Sequence, residues 1–204
     1  MQPFSSHTGR VVPLPRSDVD TDQIIPAEFC KRITRTGFDD ALFANWRTEP
    51  GFVLDLPERA GASVLVAGPN FGVGSSREHA VWALQDWGFA VVIAPSFGDI
   101  FSRNALRGGL LVVPLPEPAV TLLLERAERD PGFEVTADLA GGEVRTAAGC
   151  WPLEIEPRRR ELLLHGLDDI ELTLAHGADL DAYERGRRPW LPALRRGALP
   201  AARL

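Results

Sequence analysis

A chain of 204 residues with 45% apolar and 25% charged side chains is long enough for one domain with a filled core. Its formal charge of −6 argues against nucleic acid as a partner, because a phosphate-binding surface is basic. No apolar run approaches the ~20 residues of a membrane span and the first residues lack the apolar core of a signal peptide, so the expected location is the cytoplasm.

In chain order, Gly9 to Leu14 reads as an opening strand, followed by a polar turn and Asp20-Thr21-Asp22-Gln23-Ile24-Ile25-Pro26. Residues 31–50 mix basic and aromatic side chains without a sustained period, which predicts a loop with short helical pieces. Val64-Leu65-Val66-Ala67 is a short apolar run closed by Gly68-Pro69, the pattern of a buried strand. Ala80 to Trp87 repeats apolar residues at helical spacing and stops at Gly88. A strand at 90–94, a helix over roughly 99–106 closed by Gly108-Gly109, and a strand at 110–113 follow. This strand–helix rhythm with near-continuous apolar strands predicts parallel pairing, hence an α/β fold. Residues 119–129 suggest a surface helix, and 134–139 with 144–147 a hairpin around Gly141-Gly142. Residues 1–185 are expected to form one domain, with an irregular tail over 186–204 that carries Pro189, Pro192 and Pro200.

The most informative segment is Asn70-Phe71-Gly72-Val73-Gly74-Ser75-Ser76-Arg77-Glu78-His79, set between the 64–67 strand and the helix ending at Gly88. It places two hydroxyls and a guanidinium at or near a helix N-terminus, where free N–H groups attract anions. A dinucleotide fingerprint fails because Arg77 stands where the third glycine belongs. A phosphate loop fails because the chain's single lysine, Lys31, is remote, and a nucleophile elbow fails at Glu78. The simpler alternative is a cap, with Ser75 or Ser76 at the N-cap and Glu78 in the first turn. That alternative leaves Arg77 at the unfavourable end of the helix dipole, which favours anion binding.

Cys30 and Cys150 stand 120 positions apart, and no histidine lies at ligand spacing from either. Neither an iron–sulfur nor a structural zinc site is expected in this chain. Both cysteines are expected as buried or half-buried free thiols of a reducing compartment.

The Gly74-Ser75-Ser76-Arg77-Glu78-His79 block resembles that of the aconitase superfamily. Together with Asp20-to-Pro26, His7-Thr8-Gly9, Arg35-Thr36-Gly37-Phe38, Ser96-to-Phe101 and Gly166-to-Ile170, the chain resembles the family of bacterial 3-isopropylmalate dehydratase small subunits almost to Tyr183. The resemblance implies a single swivelling β/β/α domain with a mixed sheet and flanking helices. It also implies a hydro-lyase that interconverts 2- and 3-isopropylmalate in leucine biosynthesis, active only with a large subunit that carries a [4Fe–4S] cluster. By position, Ser75 matches the superfamily's serine base and Arg77 its substrate-carboxylate arginine, with Ser76 as a hydrogen-bonding neighbour. Thr21 and Asp22 match a pair in the active-site network; the structural alternative is an Asx-type turn bridging a strand to the next element. Arg35 is a candidate substrate contact from the 31–50 loop. His79, Trp82 and Trp87 are read as structural. Two alternatives stay open: a sister isomerase acting on homoaconitate or methylmalate, and a carboxylate-binding module without catalysis.

Overall fold

The strand Ser6–Leu14 (β1) is the middle of the sheet, and it pairs on its two sides with different polarity. Its second half runs parallel to Val64–Ala67 (β2), with Val11 opposite Val64 and Leu14 opposite Ala67. Its first half runs antiparallel to Glu134–Asp138 (β5), with Ser6 opposite Asp138. Val91–Ala94 (β3) and Leu111–Pro114 (β4) extend the parallel side, and Glu143–Thr146 (β6) and Gly149–Pro152 (β7) the antiparallel side. In this computed structural model, which describes residues 1–188 and 190–192, the seven strands lie in the order β4-β3-β2-β1-β5-β6-β7. The expected mixed sheet with flanking helices is therefore what forms.

Burial follows the residue pattern. Every side chain of β2 and β3 is buried, as uninterrupted apolar runs require when both faces of a sheet are covered. The helix Glu78–Trp87 (α2) buries Ala80, Val81, Ala83 and Leu84 and ends at Gly88, whose φ of 113° is the left-handed C-terminal cap foreseen for it. Asp99–Gly108 (α3) packs on α2, and Glu117–Arg129 (α4) lies against β1, β2 and β3. Residues 31–50 form a loop flanked and interrupted by short 3-10 turns, Ala27–Lys31 and Trp46–Thr48. A single helical turn, Thr21–Ile24 (α1), is capped by Asp20, which accepts from Gln23 N–H at 2.8 Å while the Gln23 side chain accepts from Asp20 N–H.

Among the elements not foreseen inside the first unit, Met1–Asp168, are the helical turn α1, strand β7 and the helix Pro157–His165 (α5). Residues from Asp169 onward form a second unit, with helices Asp169–Leu174 (α6) and Gly177–Arg185 (α7). Of the tail expected from Gly186, Pro189 and residues 193–204, with Pro200, lie outside the described residues. No helix among the described residues is long and apolar enough to cross a membrane.

Candidate active site

In a parallel sheet the loops leaving the C-terminal strand ends converge, and side chains carried there are free of the core. Here the loops after β1, β2 and β3 meet. Asp20 and Val73 form an isolated parallel bridge, as do Phe71 and Phe97. Main-chain bonds lace them together: Gly72 N–H donates to Val19 carbonyl at 2.7 Å, Thr21 N–H to Val73 at 3.0 Å, and Gly98 N–H to Phe71 at 2.9 Å. The close approach needs glycine. Gly72 has φ 75° and lies so near the Phe101 ring that a β-carbon would collide with it, and Gly74 has φ 90°.

The lacing brings Thr21 to Ser75. Thr21 is buried, its hydroxyl donates to the Ser75 carbonyl at 3.0 Å, and it lies 3.1 Å from Ser75 Oγ. The neighbouring pair comes together in the same way. Arg77 Nη1 donates to Asp22 Oδ1 and, at 3.4 Å, to the Ile25 carbonyl. Ser75 and Ser76 are exposed, and the Arg77 side chain is 21% exposed, so hydroxyls and guanidinium are all reachable from solvent. Four of the six sequence candidates are thus joined in two pairs.

Arg35 is fully on the surface, in the loop between Lys31 and Phe38. Its guanidinium carbon lies 5.9 Å from the Trp82 ring on α2, the helix that begins beside Arg77. Phe38 anchors that loop: its ring meets His79 edge-on at 5.5 Å, and its N–H donates to Asp86 at 2.9 Å. Upstream, Arg32 forks onto Asp40 with both bonds at 2.7 Å. That fork holds the Asp40 carboxyl below its ordinary range.

Two local expectations need correction. Neither serine caps α2: the helix starts at Glu78, the N-cap is Arg77 in extended backbone, and no side chain bonds to that cap. With Gly74 in a left-handed turn, the chain enters the helix later than a Ser-capped start allows. Cys150 is exposed rather than buried, and its thiol donates to Glu143 at 3.4 Å, a bond that pushes its pKa up. Trp82 and Trp87 are half-buried against the core.

The profile of the aconitase C-terminal domain family matches residues 1–118, the part that carries both halves of this site. The 3-isopropylmalate dehydratase small subunit of Acidothermus cellulolyticus is 60% identical over 195 residues, covering 96% of this chain and 99% of that protein. The chain belongs to the family of 3-isopropylmalate dehydratase small subunits. The family member of Thermobifida fusca is 55% identical over 192 residues, covering 94% and 98%. Among solved structures, 3-isopropylmalate dehydratase from Methanocaldococcus jannaschii superposes with a TM-score of 0.62 at 29% identity, covering 89% of this chain and 99% of that one.

The sequence alone missed the Thr21–Ser75 contact, the Asp86 anchor of the loop, and a side-chain tie between Asp18, Asn70 and Ser96. A signal existed only for the last: asparagine before an aromatic-glycine turn is the residue type that best accepts a left-handed backbone.

Proposed function

We propose that this chain is the small half of 3-isopropylmalate dehydratase, with Ser75 as the base that moves the substrate proton. The reaction removes a proton from one carbon and hydroxide from its neighbour, then returns water with the two positions exchanged. Ser75 Oγ, as alkoxide, takes the C–H proton and becomes the hydroxyl, and it returns the proton on rehydration. A serine is a very weak base, so its anion needs donors. The Thr21 hydroxyl is within reach of both Ser75 oxygens, so its proton can turn from the carbonyl to the alkoxide. The first turn of α2, the positive end of its helix dipole, lies just downstream.

Arg77 suits one carboxylate of the dicarboxylate substrate, because its planar fork gives two parallel bonds, and Ser76 adds a hydroxyl beside it. Asp22 orients the guanidinium, and Arg35 reaches the substrate from the loop that α2 anchors. The observation that carries this reading is the approach of buried Thr21 to exposed Ser75, two residues from the Arg77–Asp22 pair. The electrophile, a [4Fe–4S] cluster, is assigned to the large subunit. Among the described residues no three His, Cys, Asp or Glu side chains converge to hold a metal, so this chain does not fit the cluster and no step here passes through it. The proposed location of the assembly is the cytoplasm, a reading supported by the free thiol of Cys30.

The test is Ser75→Ala in the reconstituted, cluster-loaded complex. As base, its loss lowers kcat by several orders of magnitude with assembly and substrate binding kept. A near-normal kcat removes Ser75 from the chemistry.

A further inference from the structure

Between β2 and the base, Gly72 and Gly74 leave the backbone free to take many paths. Helix α2 fixes the far end of this segment. We propose that Asn70 fixes the near end and is a positioning residue for the Ser75 base, an inference that rests on the catalytic reading of Ser75.

Asn70 is exposed, so it does not serve packing, yet its backbone holds φ 59°, a left-handed conformation uncommon outside glycine. Asp18, across from it, holds φ 54°. The two side chains face each other in this arrangement: Asn70 Nδ2 donates to Asp18 Oδ1 at 2.8 Å. The other end of the same amide is also used, since Ser96 Oγ donates to Asn70 Oδ1 at 3.1 Å and accepts from Asn70 N–H at 2.9 Å. One side chain therefore ties together the loops that leave β1, β2 and β3. Directly downstream run the main-chain bonds that set Val19 against Gly72 and Thr21 against Val73, and they end where Thr21 meets Ser75. Asn70 does not bond Ser75. It fixes the register of the lacing that presents Ser75 to Thr21, so removing it lets the base wander from Thr21 while leaving the Arg77 clamp in place.

Such a role shows in kcat rather than in KM or melting temperature. The measurement is steady-state kinetics per assembled, cluster-loaded complex for Asn70→Gly, Asn70→Asp, the double exchange Asn70→Asp with Asp18→Asn, and Ser75→Ala. Asn70→Gly keeps the backbone conformation and deletes the tie; kcat is expected to fall roughly ten- to a hundredfold with KM within about threefold, as for a misplaced reacting group. Asn70→Asp sets two carboxylates against each other and falls similarly. The double exchange reverses donor and acceptor: the amide at position 18 donates to the carboxylate at position 70, which still accepts from Ser96. It is expected to restore kcat to within about threefold of wild type, a rescue that only a positioning contact predicts. A near-normal kcat for Asn70→Gly, or a double exchange no better than Asn70→Asp, overturns the proposal. If Ser75→Ala is dead while Asn70→Gly is active, the positioning role alone falls. If Ser75→Ala keeps its kcat, the catalytic reading falls and takes this inference with it.

Discussion

Arg77 and Asp22 form an ion pair whose side chains are 21% and 56% exposed. A pair so open to water is worth about 0–1 kcal/mol, too little to explain a fold-stabilising role. In the proposed site its use is directional, since the Asp22 carboxylate and the Ile25 carbonyl fix the guanidinium in place. If Arg77 holds a substrate carboxylate as proposed, lysine keeps the charge but lacks the planar fork that makes two parallel bonds to it. Arg77→Lys is therefore expected to lower kcat/KM by about a hundredfold, or roughly 2.7 kcal/mol of transition-state stabilisation, while the melting temperature and assembly stay put. Steady-state kinetics beside a thermal melt check this, and an unchanged kcat/KM would return Arg77 to the role of a surface charge.

Among the elements, the 3-10 turn Pro57–Arg59 holds the sheet to its covering helix by one buried cation. Arg59 Nη1 donates to the Val11 carbonyl of β1 at 3.0 Å and Nη2 to the Ala127 carbonyl in the last turn of α4 at 2.6 Å, while Nε has no partner. Burial lowers its pKa, and the carbonyl end of the α4 dipole offsets part of that cost. Arg59→Lys reaches one carbonyl and strands the other, so the unfolding free energy is expected to drop by about 1–3 kcal/mol. A denaturant midpoint identical to wild type would refute the clasp. Signals of this kind explain what could be foreseen. Strands β2, β3 and β4 and the ends of α2 and α3 were legible because apolar runs and closing glycines are local. Strand β7 was not, since Gly149-Cys150-Trp151-Pro152 neither alternates nor avoids proline. Helix α5 opens on Pro157 and three arginines and buries only Leu163, so no apolar stripe announces it. The site divides along the same line. Ser75, Ser76 and Arg77 stand together in the chain, whereas Thr21 meets Ser75 across 54 positions, which no spacing rule reveals.

For the whole molecule, stability should depend on pH through His7, whose Nε2 shares a 2.7 Å hydrogen bond with Ser63 Oγ. Burial lowers its pKa from 6.5, so the folded chain favours the neutral ring. Between the lowered value and 6.5 the unfolded chain binds more protons than the folded one, and stability rises with pH there. The contribution is complete above 6.5 and is lost as pH falls through that window. The melting temperature should decline on going from pH 7.5 to pH 5.5, and His7→Gln should flatten that decline; equal slopes for both proteins would exclude His7 as the cause. His7 also marks the half of β1 whose partner comes late. During synthesis β2 leaves the ribosome first and can pair with Val11 to Leu14, but β5 follows about seventy residues later, which is several seconds at ~5–20 residues per second. Through that interval the stretch from Ser6 to Arg10 stands as an open edge in the nascent chain. Its side chains are Ser, His, Thr, Gly and Arg, while the half that pairs early is Val, Val, Pro and Leu. The polar half is thus the one left waiting, and an edge of that composition is a poor template for the aggregation that unpaired apolar strands invite.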